Sequence, residues 1–262
     1  MKTFPRIFFF VILPAFFLPS CIFMGPAIKG EGKVTEETRE IKGFENVEVS
    51  RGLKVFLVPD SVEYLEVEAD GNLHEVIVTG LQGKTLQIYT DKFIRSAKSK
   101  KVYVHFRHLN GIKSTSGAMV SAKDTVRTKT LEIAASSGSR QTLAVRAGKL
   151  EVRCSSGAHV SLTGEAVEAA FRASTGAHVA ADKFIATRCE AKASTGGHVR
   201  AGMMERLEAV ASSGGQIYYA GTPDLGQMRK SSGGVIEKDG ERRPETGEQK
   251  KENRERRPEK RR

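Results

Sequence analysis

Seven copies of a tripeptide, two hydroxyl residues followed by a glycine, constrain the fold of this chain more than any other feature. The first copy is Thr115-Ser116-Gly117 and the last is Ser231-Ser232-Gly233; successive glycines lie 21, 19, 19, 20, 18 and 19 residues apart. A period of about 20 residues is typical of solenoids, in which each repeat stacks on the next. The predicted turn glycines are Gly117, Gly138, Gly157, Gly176, Gly196, Gly214 and Gly233.

The residues that flank each glycine alternate between apolar and charged. In the third repeat Leu150, Val152 and Cys154 alternate with Glu151 and Arg153. The third place after the glycine is aliphatic in most repeats: Val120, Val160, Val179, Val199, Ile217 and Ile236. Alternate residues of a strand face opposite sides of a sheet, so one set is expected inside and the other in water.

This pattern predicts an all-β, single-stranded parallel β-helix with rungs of roughly 19 residues. Equivalent side chains would stack from rung to rung and bury an apolar column that no single rung can bury alone. A left-handed hexapeptide-repeat helix has coils of similar length, but its aliphatic period of six residues is missing here. Each glycine is expected to supply a backbone angle that a Cβ resists, and the hydroxyls to bond along the axis.

The two ends of the chain differ from the repeats. Residues 1–20 combine Lys2, Arg6 and an apolar run, which is typical of an export signal. Leu18-Pro19-Ser20-Cys21 resembles a bacterial lipoprotein signal, so Cys21 is the predicted lipidation site and membrane attachment point. A cleaved signal without lipid and a retained anchor are the alternatives. Residues 21–40 are predicted to be a linker, and 41–236 the folded domain.

The C-terminal segment, residues 237–262, is predicted to be disordered, since 19 of its 26 residues are charged and no core can form there. The chain carries +11, of which this segment contributes +3 and the signal +2, which leaves +6 for the body. A mildly basic exported body does not favour a nucleic-acid partner; envelope polyanions fit it better. With 39% hydrophobic residues, the whole chain has enough apolar side chains for a core.

Three histidines follow their turn glycines at the same place on successive rungs: His159, His178 and His198. They are expected to form an outward vertical row. Adjacent imidazoles can share a zinc ion, but no carboxylate or thiolate completes this column, so no metal and no cofactor are predicted. Cys154 and Cys189 fall on inward places two rungs apart, too far for a disulfide, and are expected to be buried free thiols.

Catalytic signatures are missing from the sequence. It contains no nucleophile elbow, phosphate-binding loop or His-Glu-x-x-His motif. The outward rows alternate Glu with Arg or Lys, which favours ion pairing across rungs over a catalytic cleft. The near-uniform rung length leaves no long loops to wall such a cleft. No catalytic residues are therefore predicted.

Residues 41–236 resemble the head domain of autotransporter-type adhesins, known as the GIN domain. The resemblance depends on the order of several motifs: Gly43 to Val49, Gly52, Val55 to Leu57, Glu66 to Asp70, Asn72-Leu73, Gly83 to Ile88, Val102 to Val104, Leu109, Ile112, and Ser114 to Gly117. It implies a right-handed β-helix in an exported bacterial protein, and it supplies no catalytic residue.

Together these features predict a non-enzymatic, exported module, attached by lipid at Cys21 to the outer membrane of a Gram-negative bacterium. Its flat polar sides would bind envelope glycans or proteins. The alternatives are a polysaccharide lyase or hydrolase on the same scaffold, and a polyanion-binding envelope protein. The sequence does not indicate an oligomeric state.

Overall fold

The computed structural model describes residues 27–239, so the predicted signal, Cys21 and most of the charged C-terminal segment lie outside the described residues. Within this range the chain is an all-β solenoid of about seven turns, which confirms the predicted fold class. A short 3-10 helix spans Gly71–Leu73. The strands are β1 Ala27–Lys29, β2 Val34–Arg39, β3 Asn46–Val49, β4 Lys54–Pro59, β5 Tyr64–Asp70, β6 Ile77–Gln82, β7 Thr85–Thr90, β8 Phe93–Ser96, β9 Lys100–Phe106, β10 Gly111–Ser114, β11 Met119–Ala122, β12 Val126–Ala135, β13 Arg140–Cys154, β14 His159–Ala173, β15 His178–Ala193, β16 His198–Ala211, β17 Gln216–Tyr219, β18 Asp224–Lys230 and β19 Val235–Lys238.

Each rung contributes one segment to each of two sheets. The segments that precede the turn glycines form the first sheet, in which β3, β10, β12 and the second halves of β13–β16 pair in parallel and β18 follows. The segments that follow the glycines form the second sheet, from β4 and β11 through the first halves of β13–β16 to β17 and β19.

The strands of the central rungs are longer than the short strands that the repeat predicts. β13 to β16 have 14 to 16 residues each and bend from the second sheet into the first. In β13 the buried residues alternate up to Ala147 and resume at Leu150, with exposed Gly148 and Lys149 between them. This change of phase lets one continuous strand direct its apolar side chains inward in both sheets.

The stacked apolar columns predicted from the repeat are present. Val160 pairs with Val179, which pairs with Val199, and all three are at most 1% exposed. One position breaks this column, because Gln141 occupies it on β13 and is fully buried. Its amide donates hydrogen bonds to Ser114 Oγ at 2.9 Å and to the Ala134 carbonyl at 2.8 Å, while its own carbonyl oxygen has no partner.

The turns between the sheets use two successive residues with positive φ. In the second repeat Ser137 has φ 51° and Gly138 has φ 70°, and the other repeats follow the same pattern. The Gly138 N–H donates to the Ser156 carbonyl of the next rung at 3.0 Å. Main-chain hydrogen bonds of this kind hold the turns in register. The expected hydrogen bond between tripeptide hydroxyls of adjacent rungs is present between Ser136 and Thr115, at 3.2 Å. The other described turns are joined through main-chain groups instead.

The segment predicted to be a linker is part of the folded domain where the structure describes it. β2 pairs with β5 in antiparallel fashion, and β1 pairs with β8. The Arg39 guanidinium donates to the carbonyls of Ile77 and His74, at 2.6 and 2.8 Å. β2 buries few of its side chains and is rich in charged residues, so it does not show the alternation of apolar and polar residues that is typical of a strand. Its polar composition therefore resembles that of a linker.

A further rung precedes the repeats that the tripeptides indicate. Arg51 and Gly52, with φ 57° and 69°, form a turn between β3 and β4, and the Gly52 N–H donates to the Ser116 carbonyl at 3.0 Å. Beyond this rung, β7 and β9 extend the two sheets in parallel. The antiparallel strands β6 and β5 then follow, with β2 outside β5. The N-terminal end of the solenoid is therefore closed by antiparallel strands.

Candidate functional site

The predicted row of histidines lies on the outer face of the second sheet. His159 of β14 pairs with His178 of β15, which pairs with His198 of β16. The rings stack face to face: the centroids of His159 and His178 are 5.8 Å apart, and those of His178 and His198 are 4.7 Å apart at an interplanar angle of 14°. We refer to these three side chains as the imidazole ladder.

Cationic and uncharged polar groups surround the imidazole ladder. Arg140 precedes it in the same column and Gln216 follows it. Arg200 and Tyr218 belong to the neighbouring outward column, with the guanidinium carbon 6.0 Å from the ring centroid. A groove of about 460 Å³ is lined by the three histidines together with Arg200, Gln216 and Tyr218. The ladder therefore presents hydrogen-bonding edges and positive charge to solvent.

Burial and neighbouring charge act together on the imidazoles at the two ends of the ladder. Partial burial lowers the pKa of His159, and electrostatic repulsion from neighbouring Arg140 and His178 lowers it further. Burial likewise lowers the pKa of His198, with contributions from His178 and Arg200. Both rings are consequently held in the neutral form near pH 7.

The stacked geometry does not direct the imidazole nitrogens toward a common point. Ring nitrogens hold their lone pairs in the ring plane, and the planes of His178 and His198 are nearly parallel. Zinc needs Zn–N distances of about 2.0–2.1 Å from ligands that converge on it. Among residues 27–239 no group of three His, Cys, Asp or Glu side chains is placed to hold a metal ion.

A second aromatic group on the same sheet escaped the sequence reasoning. The rings of Phe56 and Tyr103 stack with centroids 5.1 Å apart, and Lys123 Nζ lies 4.6 Å from the Phe56 centroid. Tyr64 stacks on His105 at 3.9 Å. The aromatic residues and His105 come from β4, β5 and β9, which precede the first tripeptide, and Lys123 lies in the loop after β11. The signal available in the sequence is that β4 and β9 each carry an aromatic residue at an outward position, Phe56 and Tyr103.

His105 carries the strongest resemblance to catalytic machinery in the described part of the chain. Its Nδ1 lies 2.9 Å from Asp60 Oδ2, and its Nε2 lies 3.6 Å from Glu66 Oε2. The hydrogen bond from His105 lowers the pKa of Asp60. Ser61 bonds to Asp60 rather than to the imidazole. Each ring nitrogen of His105 thus faces a carboxylate, and neither nitrogen lies against a serine hydroxyl that it could activate.

The outer face of the first sheet has a different character, because most of its charges are paired. Arg172 contacts Glu151 of the preceding rung and lies 3.2 Å from Glu190 of the following rung. Arg188 pairs with Glu168 at 2.7 Å, as the sequence pattern predicts for pairing across rungs. The remaining pairs of this face include Arg153–Glu151, Lys192–Glu190, Arg206–Glu208 and Arg206–Asp224. Most of these pairs are exposed and contribute little to stability, whereas Glu151 is partly buried.

Both predicted inward cysteines are buried and free. Burial raises the pKa of the Cys154 thiol to about 11 and that of Cys189 to about 12. Thiols in this state are unreactive at neutral pH. They pack as small apolar side chains in the core of the solenoid.

Comparison with protein families identifies the class of this fold. The family model described as "Putative auto-transporter adhesin, head GIN domain" matches residues 43–223, and the chain belongs to this family. No curated protein matches the chain. None of the helices in residues 27–239 is long and apolar enough to cross a membrane.

Solved structures share the fold at low sequence identity. A "putative adhesin" from Bacteroides fragilis is 21% identical, with a TM-score of 0.75 over 80% of this chain and 99% of that one. Another from Parabacteroides merdae is 20% identical, with a TM-score of 0.64 over 81% and 99%. A "putative lipid binding protein" from Parabacteroides distasonis is 17% identical, with a TM-score of 0.62 over 81% and 99%. At these identities the likeness establishes the fold alone.

Proposed function

We propose that the protein is an exported, lipid-anchored module that binds a polymer of the cell envelope, without catalysis, through the outer face of its second sheet. The observation that carries this proposal is the contrast between the two faces. Most charges of the first sheet form ion pairs with one another. The second sheet instead presents the imidazole ladder, Arg140 and Arg200, and among its parallel strands within residues 27–239 the only carboxylate in their columns is Glu237 on the last strand. Free polar groups in a flat, repeated array suit an extended ligand.

The adhesin description of the family and of two of the compared structures supports this role, as does the export signal predicted in residues 1–20. Lipid attachment at Cys21 would hold the domain at a membrane. Palmitate labelling of the full chain in its host, with a Cys21→Ser control, tests the anchor. Label that persists in the variant would contradict it.

A glycan array probed with the full chain tests the binding role. We expect retention of intact polymers without cleavage products. A variant with Arg140→Gln and Arg200→Gln should lose retention, whereas Arg153→Gln with Arg188→Gln, which removes two cations from the first sheet, should not. Release of shortened oligosaccharides would instead support the carbohydrate-active alternative. Equal loss in both variants would contradict the choice of face.

A further inference from the structure

We infer that the imidazole ladder is a site for an acidic polysaccharide that carries a carboxylate on each sugar, and that it takes up protons when this ligand binds. This inference rests on the proposed function and narrows it to one ligand class. It depends on three features of the second sheet: the spacing of the imidazoles, the charges around them, and the partial burial of their rings.

The spacing of the ladder fits a polymer better than a single small molecule. Equivalent imidazoles recur once per rung, with ring centroids 5.8 and 4.7 Å apart. Neighbouring strands in a sheet are about 4.8 Å apart. This repeat is comparable to the length of one monosaccharide in an extended chain, so successive sugars could place their carboxylates over successive rungs.

The groups that face the ladder favour an anion. Arg140 on β13 and Arg200 on β16 flank it, and the side chains of Gln216 and Tyr218 on β17 are uncharged hydrogen-bonding groups. The adjacent outward column holds Thr142, Ser161 and Ala180 beside the ladder, none of them charged. The carboxylates on the second-sheet parts of these strands are Glu165 on β14, which pairs with Arg146 at 2.6 Å, Asp182 at the irregularity of β15, and Glu237 on the last strand.

Proton uptake follows from the state of the rings without ligand. Burial and the neighbouring cations lower the pKa of His159 and of His198, so these rings are neutral near pH 7. A carboxylate placed against a ring offsets the cationic neighbours and raises its pKa, because an opposite charge favours the protonated form. Binding and protonation are then linked. For each proton taken up, the affinity for the ligand falls by up to tenfold per pH unit as the pH rises above the pKa of the free ring.

Calorimetric titration of the full chain with polygalacturonate oligomers tests this inference, and fully methyl-esterified oligomers of equal length serve as the neutral match. We expect binding at about pH 5.5, where uronate carboxylates with pKa values of about 4 remain ionised, and at least tenfold weaker binding at about pH 7.5. The esterified oligomers and free galacturonate should bind at least tenfold more weakly, since the first lack charge and the second spans one rung.

Two matched triple variants locate the site. His159→Gln with His178→Gln and His198→Gln keeps polar side chains but removes titration, and should abolish the pH dependence and weaken binding at least tenfold. Arg153→Gln with Arg188→Gln and Arg206→Gln removes three cations from the first sheet and should leave both unchanged. Circular dichroism checks that each variant is folded.

The outcomes separate this inference from the proposed function. Affinity that is equal for acidic and esterified oligomers, or independent of pH, overturns the inference but leaves a glycan-binding face in place. Equal weakening by the two triple variants shows attraction to net charge and overturns it as well. Failure to bind any glycan or envelope polymer at either pH overturns both.

Discussion

Two glycine-to-alanine substitutions distinguish the two reasons for which this fold requires glycine. Gly157 has φ 70°, and a Cβ there would meet no atom within 4 Å, so Gly157→Ala introduces backbone strain alone. A left-handed conformation costs a non-glycine residue about 1–2 kcal/mol, offset by about 0.4–1 kcal/mol from the restricted unfolded chain. We expect a loss of about 1 kcal/mol in the free energy of unfolding.

Gly197 lies one place after a turn glycine and represents the second reason. A Cβ there would lie 2.4 Å from the Ala173 carbonyl oxygen and 2.8 Å from the Ser174 nitrogen, both main-chain atoms of the preceding rung. Neither atom can rotate away, so the two rungs must separate by about 1 Å, and overpacking of this kind costs about 1–3 kcal/mol. The Ser194 N–H to Ala173 carbonyl bond, at 3.0 Å, would weaken as well. We expect Gly197→Ala to cost about 3 kcal/mol.

Urea unfolding followed by far-ultraviolet circular dichroism measures both losses, provided that the slope with urea is unchanged. Gly157→Asn is the control, because asparagine tolerates the left-handed region and should cost less than alanine. Losses of equal size for the two alanine variants, or a larger loss at Gly157, would refute the assignment of steric contact to Gly197 and of strain to Gly157.

Three further predictions concern the core and the N-terminal end. Phe171 is 1% exposed, and its ring lies edge-on to that of Phe184 with the centroids 6.0 Å apart. Phe171→Ala should lower the free energy of unfolding by about 3–5 kcal/mol, whereas Val167→Ala at an exposed position should change it by less than about 0.5 kcal/mol. Comparable losses in urea unfolding would contradict the placement of Phe171 in the core. Burial opposes ionisation of Asp70, but the N–H groups of Ser99, Gly32 and Lys98 outweigh it and lower its pKa. Asp70→Asn should therefore cost about 1–3 kcal/mol at pH 7, since an amide N–H would face those donors. This difference should shrink as the pH falls below about 4, through the lowered pKa of the native carboxyl, and a difference that grows in acid would reverse the sign of the argument. In a Cys21→Ser background, Cys154 and Cys189 should resist iodoacetamide at pH 8 until the protein is unfolded, as mass spectrometry would show; rapid labelling of the folded protein would contradict their burial.

The sequence predicts the central rungs well because each one repeats the same constraint. The turn tripeptides and the aliphatic residues after them assign the register, so the sequence alone predicts the alignment of Val160, Val179 and Val199. The histidine column could be placed for the same reason. Its ring stacking could not, because side-chain rotamers depend on neighbours such as Arg140 that the period alone does not orient.

The N-terminal third was less accessible, since its rungs lack the tripeptide. Arg51 and Gly52 make the same turn without two hydroxyl residues, and 65 residues separate Gly52 from Gly117, which hides the period. The strand β2 pairs through its main chain while its side chains stay charged, so its composition resembles a spacer. The antiparallel pairings of β5 with β9 and of β2 with β5 depend on contacts between segments distant in sequence, which no local pattern records.

The closed N-terminal end gives the domain a fixed start from which its length can vary. Antiparallel strands terminate the solenoid on that side, whereas each central rung contacts only its two neighbours and repeats their turn. Gain or loss of one such unit by gene duplication or deletion would change the reach of the molecule by about 4.8 Å and leave both its start and its cross-section intact. Evolution can thus adjust how far this protein extends in small, uniform increments.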